Sequence, residues 1–148
     1  MSLTNDVQIV LVEDSFDDAE LTMRSLKSSN FVNEIVWLQD GEEALNYLQG
    51  KGKYEDRDTS IKPKLILLDL KLPKLSGIEV LERIKKDENL CRIPVVVMTS
   101  SKENRDLDRC YELGANSYVV KPINFSNFME VTKEISMYWV LINQIPEE

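Results

Sequence analysis

The sequence predicts a doubly wound α/β domain, a parallel sheet of five strands alternating with five helices. Three observations carry that prediction. IVLV, LILL and VVVM are short unbroken runs of branched apolar residues, too short for helices. Such runs belong to strands buried on both faces of a helix-covered parallel sheet. Between the strand candidates apolar residues recur at spacings of three and four, the period of an amphipathic helix. The two kinds of segment alternate without a composition break, and right-handed crossovers are expected at nearly every step.

Strand one is Gln8 to Val12, which ends in the acidic pair Glu13 and Asp14. A helix follows from Ser15. Phe16, Ala19, Met23 and Leu26 share one face, Ser15 and Asp18 fit a capping box, and Asp17 favours the helix dipole. Glu34 to Leu38 is strand two. Asp40 and Glu43 form a second capping box, opening a helix whose apolar face is Ala44, Leu45 and Leu48. Gln49 to Pro63, with Gly50, Gly52 and YEDRDTSIK, reads as an exposed connection of above-typical length. Strand three is Leu65 to Leu68, ending in Asp69, and Pro73 cannot continue a central strand. Ser76 and Glu79 make a third capping box, with Ile78, Leu81 and Ile84 lining a face of helix three. Pro94 begins strand four, VVVM, which ends in Thr99, Ser100 and Ser101. Helix four spans Asn104 to Leu113 and is stopped by Gly114. Strand five, Tyr118 to Val120, ends in Lys121-Pro122. The last helix starts near Asn124, carries Phe125, Phe128, Thr132, Ile135, Trp139 and Ile142 at spacings of three and four, and ends before Pro146.

At 148 residues the chain suits one domain, long enough to bury a core without disulfides or a structural metal. Lys and Arg number 18 against 26 Asp and Glu, a net charge of −8 with no basic run. That field disfavours nucleic acid and anionic membrane surfaces as partners. The absence of histidine removes Ser-His-Asp and Cys-His catalysis, histidine zinc sites and a histidine phosphocarrier role. Cys91 and Cys110 lack C-x-x-C spacing and read as reduced thiols of a cytoplasmic protein. No apolar run approaches transmembrane length, and Met1 to Asp6 is too polar for a signal peptide.

The strand exits collect Glu13 and Asp14, Asp69, Thr99 and Lys121, where ligands of open parallel sheets bind. Strand two alone exits without such a residue, as an edge strand would. Three carboxylates in one crevice repel each other, and a hard divalent cation relieves the repulsion. Mg²⁺ fits, since it takes a few oxygen ligands and keeps several waters. Lys121 adds a second positive charge and Thr99 a hydroxyl donor. This set suits phosphoryl transfer, in which charge develops on the phosphoryl oxygens and the acceptor can be a carboxylate forming an acyl phosphate. Taken singly, each residue has an ordinary role: carboxylates at a helix start, a turn aspartate, a capping threonine, a solvated lysine, a packed tyrosine. Four of these coincidences, at the ends of strands one, three, four and five, point to one site.

LVEDS after strand one, LLDLKLPKLSG around strand three, VVVMTSS at strand four and GANSYVVKP at strand five together resemble the receiver domain of two-component response regulators, over Gln8 to Trp139. The resemblance implies a flavodoxin-like (βα)5 sandwich with strand order 2-1-3-4-5. Asp69 is then the phosphoacceptor, Asp14 a Mg²⁺ ligand with the Lys71 backbone carbonyl as another, and Glu13 acts through water. Thr99 and Lys121 bind the phosphoryl oxygens, and Tyr118 is the aromatic switch that moves inward with Thr99. An X-Pro bond is cis in about 5% of folded cases. The resemblance raises that expectation at Lys121-Pro122, where a cis bond would aim Lys121 into the crevice. Glu13 stands where Asp is the commonest family choice, and Lys71 occupies the position after the acceptor that affects dephosphorylation.

The long Gln49 to Pro63 connection, KLPKLSG and the extended last helix with its tail, residues 138–148, resemble small stand-alone receivers that partner bacterial phytochrome-type histidine kinases. The donor implied is a histidine kinase, docking at helix one and the loop after strand five through Phe16 and Ile123. Output is then a protein contact, and the domain is no enzyme beyond assisting its own phosphorylation and dephosphorylation. An exposed apolar side on the far end of the last helix, Trp139 to Ile145, points to a partner or to a homodimer through helix four, strand five and helix five. Three other functions share these residues. An aspartyl-nucleophile phosphatase needs a second carboxylate where Lys71 stands. A flavin or nucleotide binder needs a glycine-rich phosphate loop where EDSFDD stands. The third is a receiver-like interaction module not switched by phosphorylation.

Overall fold

Each strand is four or five residues long, and most consist of branched apolar side chains buried on both sheet faces. The computed structural model describes residues 9–28, 34–122 and 124–146. Its elements run β1 (Ile9–Val12), α1 (Phe16–Lys27), β2 (Ile35–Leu38), α2 (Gly41–Gln49), β3 (Leu65–Leu68), α3 (Gly77–Lys86), β4 (Val95–Thr99), α4 (Asn104–Glu112), β5 (Ser117–Val120) and α5 (Phe125–Met137). A 3₁₀ turn, Gly52–Tyr54, interrupts the α2–β3 connection, and a π-helical turn, Tyr138–Ile142, prolongs α5. All strands are parallel, in the order β2-β1-β3-β4-β5, which puts β2 at an edge. The expected β1 residue Gln8, the amino-terminal Met1 to Asp6 and Ile123 lie outside the described residues.

Alternation along the strands divides the core into two layers. Val10, Val12, Ile66, Leu68, Val95 and Val97 face Leu45, Leu48, Leu81 and Ile84 of α2 and α3. Ile9, Leu11, Leu65, Leu67, Val96 and Met98 face Ala19 and Leu26 of α1 and Val140 beyond α5. Register aligns the strand ends: Val12 pairs with Leu68 and Leu38, and Thr99 with Val120. Backbone bonds continue the ladders one step further, from Glu13 N to Leu38 O at 3.0 Å, Asp69 N to Val12 O at 3.1 Å and Lys121 N to Thr99 O at 2.8 Å. The polar residues that follow the strands are thereby held side by side on one rim.

Several local expectations change. Ser15, Asp40 and Ser76 each accept from the amide three residues on, so all three caps form. The reciprocal half of the first two boxes does not: Ser15 N donates to Glu13 Oε2, the Asp18 carboxylate being engaged elsewhere, and Glu43 Oε1 accepts from Gln39 N. On α3 the fully buried residues are Val80, Leu81 and Ile84, whereas Ile78 is only half-buried. On α5 Phe128, Thr132, Ser136 and Val140 form the buried row, while Phe125 and Ile142 are exposed. The helix packs closely on α1, with Ser25 Oγ donating to Met129 O at 2.7 Å, and that approach favours small residues. The long α2–β3 connection, although largely exposed, is tied down. Tyr54 Oη donates to Glu43 Oε2 at 2.7 Å, and the Arg57 guanidinium bonds Tyr47 O while lying 4.0 Å from the Tyr47 ring centroid. Among the described residues no helix is long and apolar enough to cross a membrane.

Candidate functional site

Five residues named from the sequence meet at the carboxyl ends of β1, β3, β4 and β5. Glu13 is 3% exposed and Asp69 8%, whereas Asp14 is exposed. One carboxylate oxygen from each lies within 4.8 Å of the others. Asp69 Oδ1 accepts from the Leu70 amide at 2.7 Å, which fixes the acid's rotamer from its own chain. Lys121 reaches across from the β5 exit. Its Nζ lies 3.0 Å from Asp69 Oδ2, 2.7 Å from Glu13 Oε1 and 2.8 Å from Asp18 Oδ2. No cis peptide bond occurs among the described residues, so Lys121 points into the crevice across a trans bond to Pro122, against the cis expectation.

Burial and the Asp69 charge push the Glu13 carboxyl up to about 7, with Lys121 pulling the other way. Burial works against the Lys121 ammonium, but its hydrogen bonds to Asp18 and Glu13 and the nearby negative charges outweigh that and hold the group cationic well above its ordinary range. One ammonium thus contacts three acidic side chains, Glu13, Asp18 and Asp69, and Asp14 adds a fourth beside Glu13 and Asp69. The excess negative charge and the convergent oxygens of Glu13, Asp14 and Asp69 fit a hard divalent cation. The Lys71 side chain is exposed.

Thr99 closes the site at the β4 exit, fully buried, its Oγ1 accepting from Ser101 N at 3.2 Å. Tyr118, half-buried on β5, donates from Oη to Ser101 O at 3.1 Å. Both proposed switch side chains therefore hold one residue of the β4–α4 loop, whose own hydroxyl donates to Asp106 at 2.6 Å. Phe16 is 62% exposed and stacks edge-on against Trp37, whose indole N–H donates to Glu13 O at 2.7 Å.

Three features escape a reading by strand exits. Asp18 lies in the first turn of α1 and was legible only as a capping residue. Ser101, named only as one of the polar residues ending strand four, is shared by Thr99 and Tyr118. Gly77 bonds from its amide to Leu70 O at 2.8 Å, and a Cβ there would strike the Asp69 carbonyl oxygen. The only advance signal for Gly77 was a glycine opening a helix directly after its cap.

A family profile described as "Response regulator receiver domain" matches residues 9–133. The "Probable methanogenesis regulatory protein FilR2" of Methanothrix harundinacea is 44% identical over 93% of this chain and 86% of its own length. Response regulator Rcp1 of Synechocystis is 42% identical over 93% of this chain and 92% of its own. The crystal structure of its Mn²⁺-bound form superposes with a TM-score of 0.87, covering 94% of this chain and 98% of that one at 41% identity. The structure of the phosphorylated cyanobacterial phytochrome response regulator RcpA superposes at 0.89, with 39% identity, over 96% of this chain and 99% of that one.

Proposed function

The chain belongs to the response regulator receiver family, and we propose that it is a single receiver domain that takes a phosphoryl group from a histidine kinase onto Asp69. The observation that carries the reading is the contact of Lys121 with Asp69 beside the Glu13, Asp14 and Asp69 oxygens. Mg²⁺ is the cation proposed, with Asp14, Asp69 and the Lys71 carbonyl as ligands and Glu13 acting through water. Bound there, it supplies the charge neutralisation that lets a carboxylate meet phosphoryl oxygens. The chain's own residues do the rest. Asp69 is the nucleophile, held by the Leu70 amide, and Lys121 donates to a phosphoryl oxygen. Thr99 turns its hydroxyl to another, giving up its bond to Ser101 N. Tyr118 then follows, and the β4–α4 loop is re-weighted between two arrangements. Output is a protein contact, with no external substrate turned over.

A phytochrome-type kinase is the proposed donor, supported by the likeness to RcpA. It docks on α1 at exposed Phe16 and on the loop after β5. A homodimer through α4, β5 and α5 is supported by exposed Tyr111, Val120, Phe125 and Met137 and by the apolar tail turn, Tyr138, Leu141 and Ile142. A cytoplasmic location follows from that partner. The test is incubation with Mg²⁺ and acetyl phosphate, followed by mass spectrometry for an acid-stable, base-labile adduct. No adduct on the wild type, or an undiminished one on Asp69→Ala, overturns the reading.

A further inference from the structure

The geometry points to Asp18 as a positioning residue for phosphoryl transfer, a carboxylate on α1 that fixes the Lys121 ammonium so that one of its protons faces Asp69. The inference rests on the reading of Asp69 as phosphoacceptor. A lysine ammonium has three N–H donors and no acceptor. Here the three acceptors are Glu13 Oε1 at 2.7 Å, Asp18 Oδ2 at 2.8 Å and Asp69 Oδ2 at 3.0 Å. Two shorter bonds hold the nitrogen, and the longest reaches the acid that reacts. When an Asp69 oxygen bonds to phosphorus, the donor's bond to phosphorus breaks, P–N in a kinase phosphohistidine or P–O in acetyl phosphate, and the leaving group departs with the electron pair. The proton that faced Asp69 is then already aimed at the incoming phosphoryl oxygens.

Glu13 cannot hold the ammonium alone. Lysine carries four rotatable carbons and a compact charge, and one contact leaves it free to swing about that bond. Asp18 supplies the second fixed point from a different element, one helical turn beyond its cap Ser15. It is also the more solvated anchor, its side chain 34% exposed against 4% for Glu13. A positively charged group that enters the transition state gains by being held in place beforehand, because no reorganisation is then needed during reaction.

The plain alternative is that Asp18 serves only the helix dipole, as any first-turn carboxylate does. Asp17 is the internal control, since it occupies the same turn, is exposed and has no bond to Lys121 among the contacts of that ammonium. The experiment is single-turnover phosphorylation by acetyl phosphate with saturating Mg²⁺, across donor concentrations, for wild type, Asp17→Ala, Asp18→Ala, Lys121→Ala and Asp18→Ala/Lys121→Ala. Asp18→Ala is expected to lower the maximal rate by roughly tenfold, the scale of one mispositioned charged hydrogen bond, with little change in half-saturation. Asp17→Ala keeps the wild-type rate. In the Lys121→Ala background the Asp18 change adds nothing, because its target is gone. An Asp18→Ala rate within twofold of wild type, or an Asp18 loss that adds in full to that of Lys121→Ala, overturns the inference. Neither result touches the assignment of Asp69, which stands or falls on whether the wild type forms the adduct and Asp69→Ala does not.

Discussion

Gly77 stands directly over the main chain of Asp69, so that the first residue of α3 shares its space with the strand end carrying the proposed phosphoacceptor. A Cβ on Gly77 would meet the Asp69 carbonyl oxygen and come within 2.5 Å of Leu70 Cα, both main-chain atoms that no rotamer change can move. Gly77→Ala is therefore expected to cost about 1–3 kcal/mol, the range for forcing a methyl into a packed site. The strain falls on Asp69 itself, so phosphorylation should slow as well. Urea denaturation beside the adduct assay checks both. Unchanged stability would show that the β3–α3 loop yields freely.

The strand exits were legible because each buried strand is a run of branched residues with a polar residue at its end, and parallel topology brings such ends to one rim. Glu13, Asp14, Asp69, Thr99 and Lys121 were accessible in this way, and so was the edge position of β2. Asp18 was not, because its place depends on how α1 lies across the β1 exit, and local spacing carries no trace of that. The face of the last helix was legible in its middle, where Phe128 and Thr132 are buried and Ile135 and Trp139 pack against the core, but not at its ends, where Phe125 and Ile142 are exposed. Ser136 was missed because hydropathy passes over a small hydroxyl residue that close helix packing can bury.

Ser136 is fully buried, and its hydroxyl is without a hydrogen-bond partner among the described residues. An unpaired buried hydroxyl costs free energy that alanine does not, and alanine is also the better helix former. Ser136→Ala is expected to raise stability by about 1 kcal/mol and leave phosphorylation unchanged. Thermal or urea unfolding of the two proteins reads the difference. A loss of stability would mean that the hydroxyl is satisfied in solution.

The raised Glu13 carboxyl predicts a pH dependence with a defined sign. Its ordinary value is 4.5 and its folded value about 7. Below 4.5 both states hold the proton. Between 4.5 and 7 the unfolded chain releases it while the folded chain keeps it, so this residue's contribution to stability falls as pH rises through that window. Lys121 is shifted upward from a value already far above neutral and adds nothing there. Relative to wild type, Glu13→Gln should gain stability between pH 5 and pH 8, on the order of 2 kcal/mol. Divalent cation added at pH 8 should stabilise the wild type more than the variant, since it favours the charged carboxylate. Urea midpoints at the two pH values, with and without Mg²⁺, test this. A constant gap between the proteins would place the Glu13 titration at its ordinary value.

Lys71 lies two residues beyond Asp69 with its side chain exposed. A lysine ammonium there is a donor only and cannot accept a proton from an attacking water. A carboxylate in its place could orient that water and take its proton. Lys71→Glu is therefore expected to shorten the lifetime of the phosphorylated protein severalfold while leaving folding stability within about 0.5 kcal/mol, as for exposed substitutions generally. Lys71→Ala, which offers neither charge nor base, should not shorten it. Phosphorylated protein freed of donor is followed by adduct decay for the three proteins. Equal decay in all three would remove Lys71 from any part in hydrolysis and leave the lifetime to Thr99, Lys121 and the acids around them.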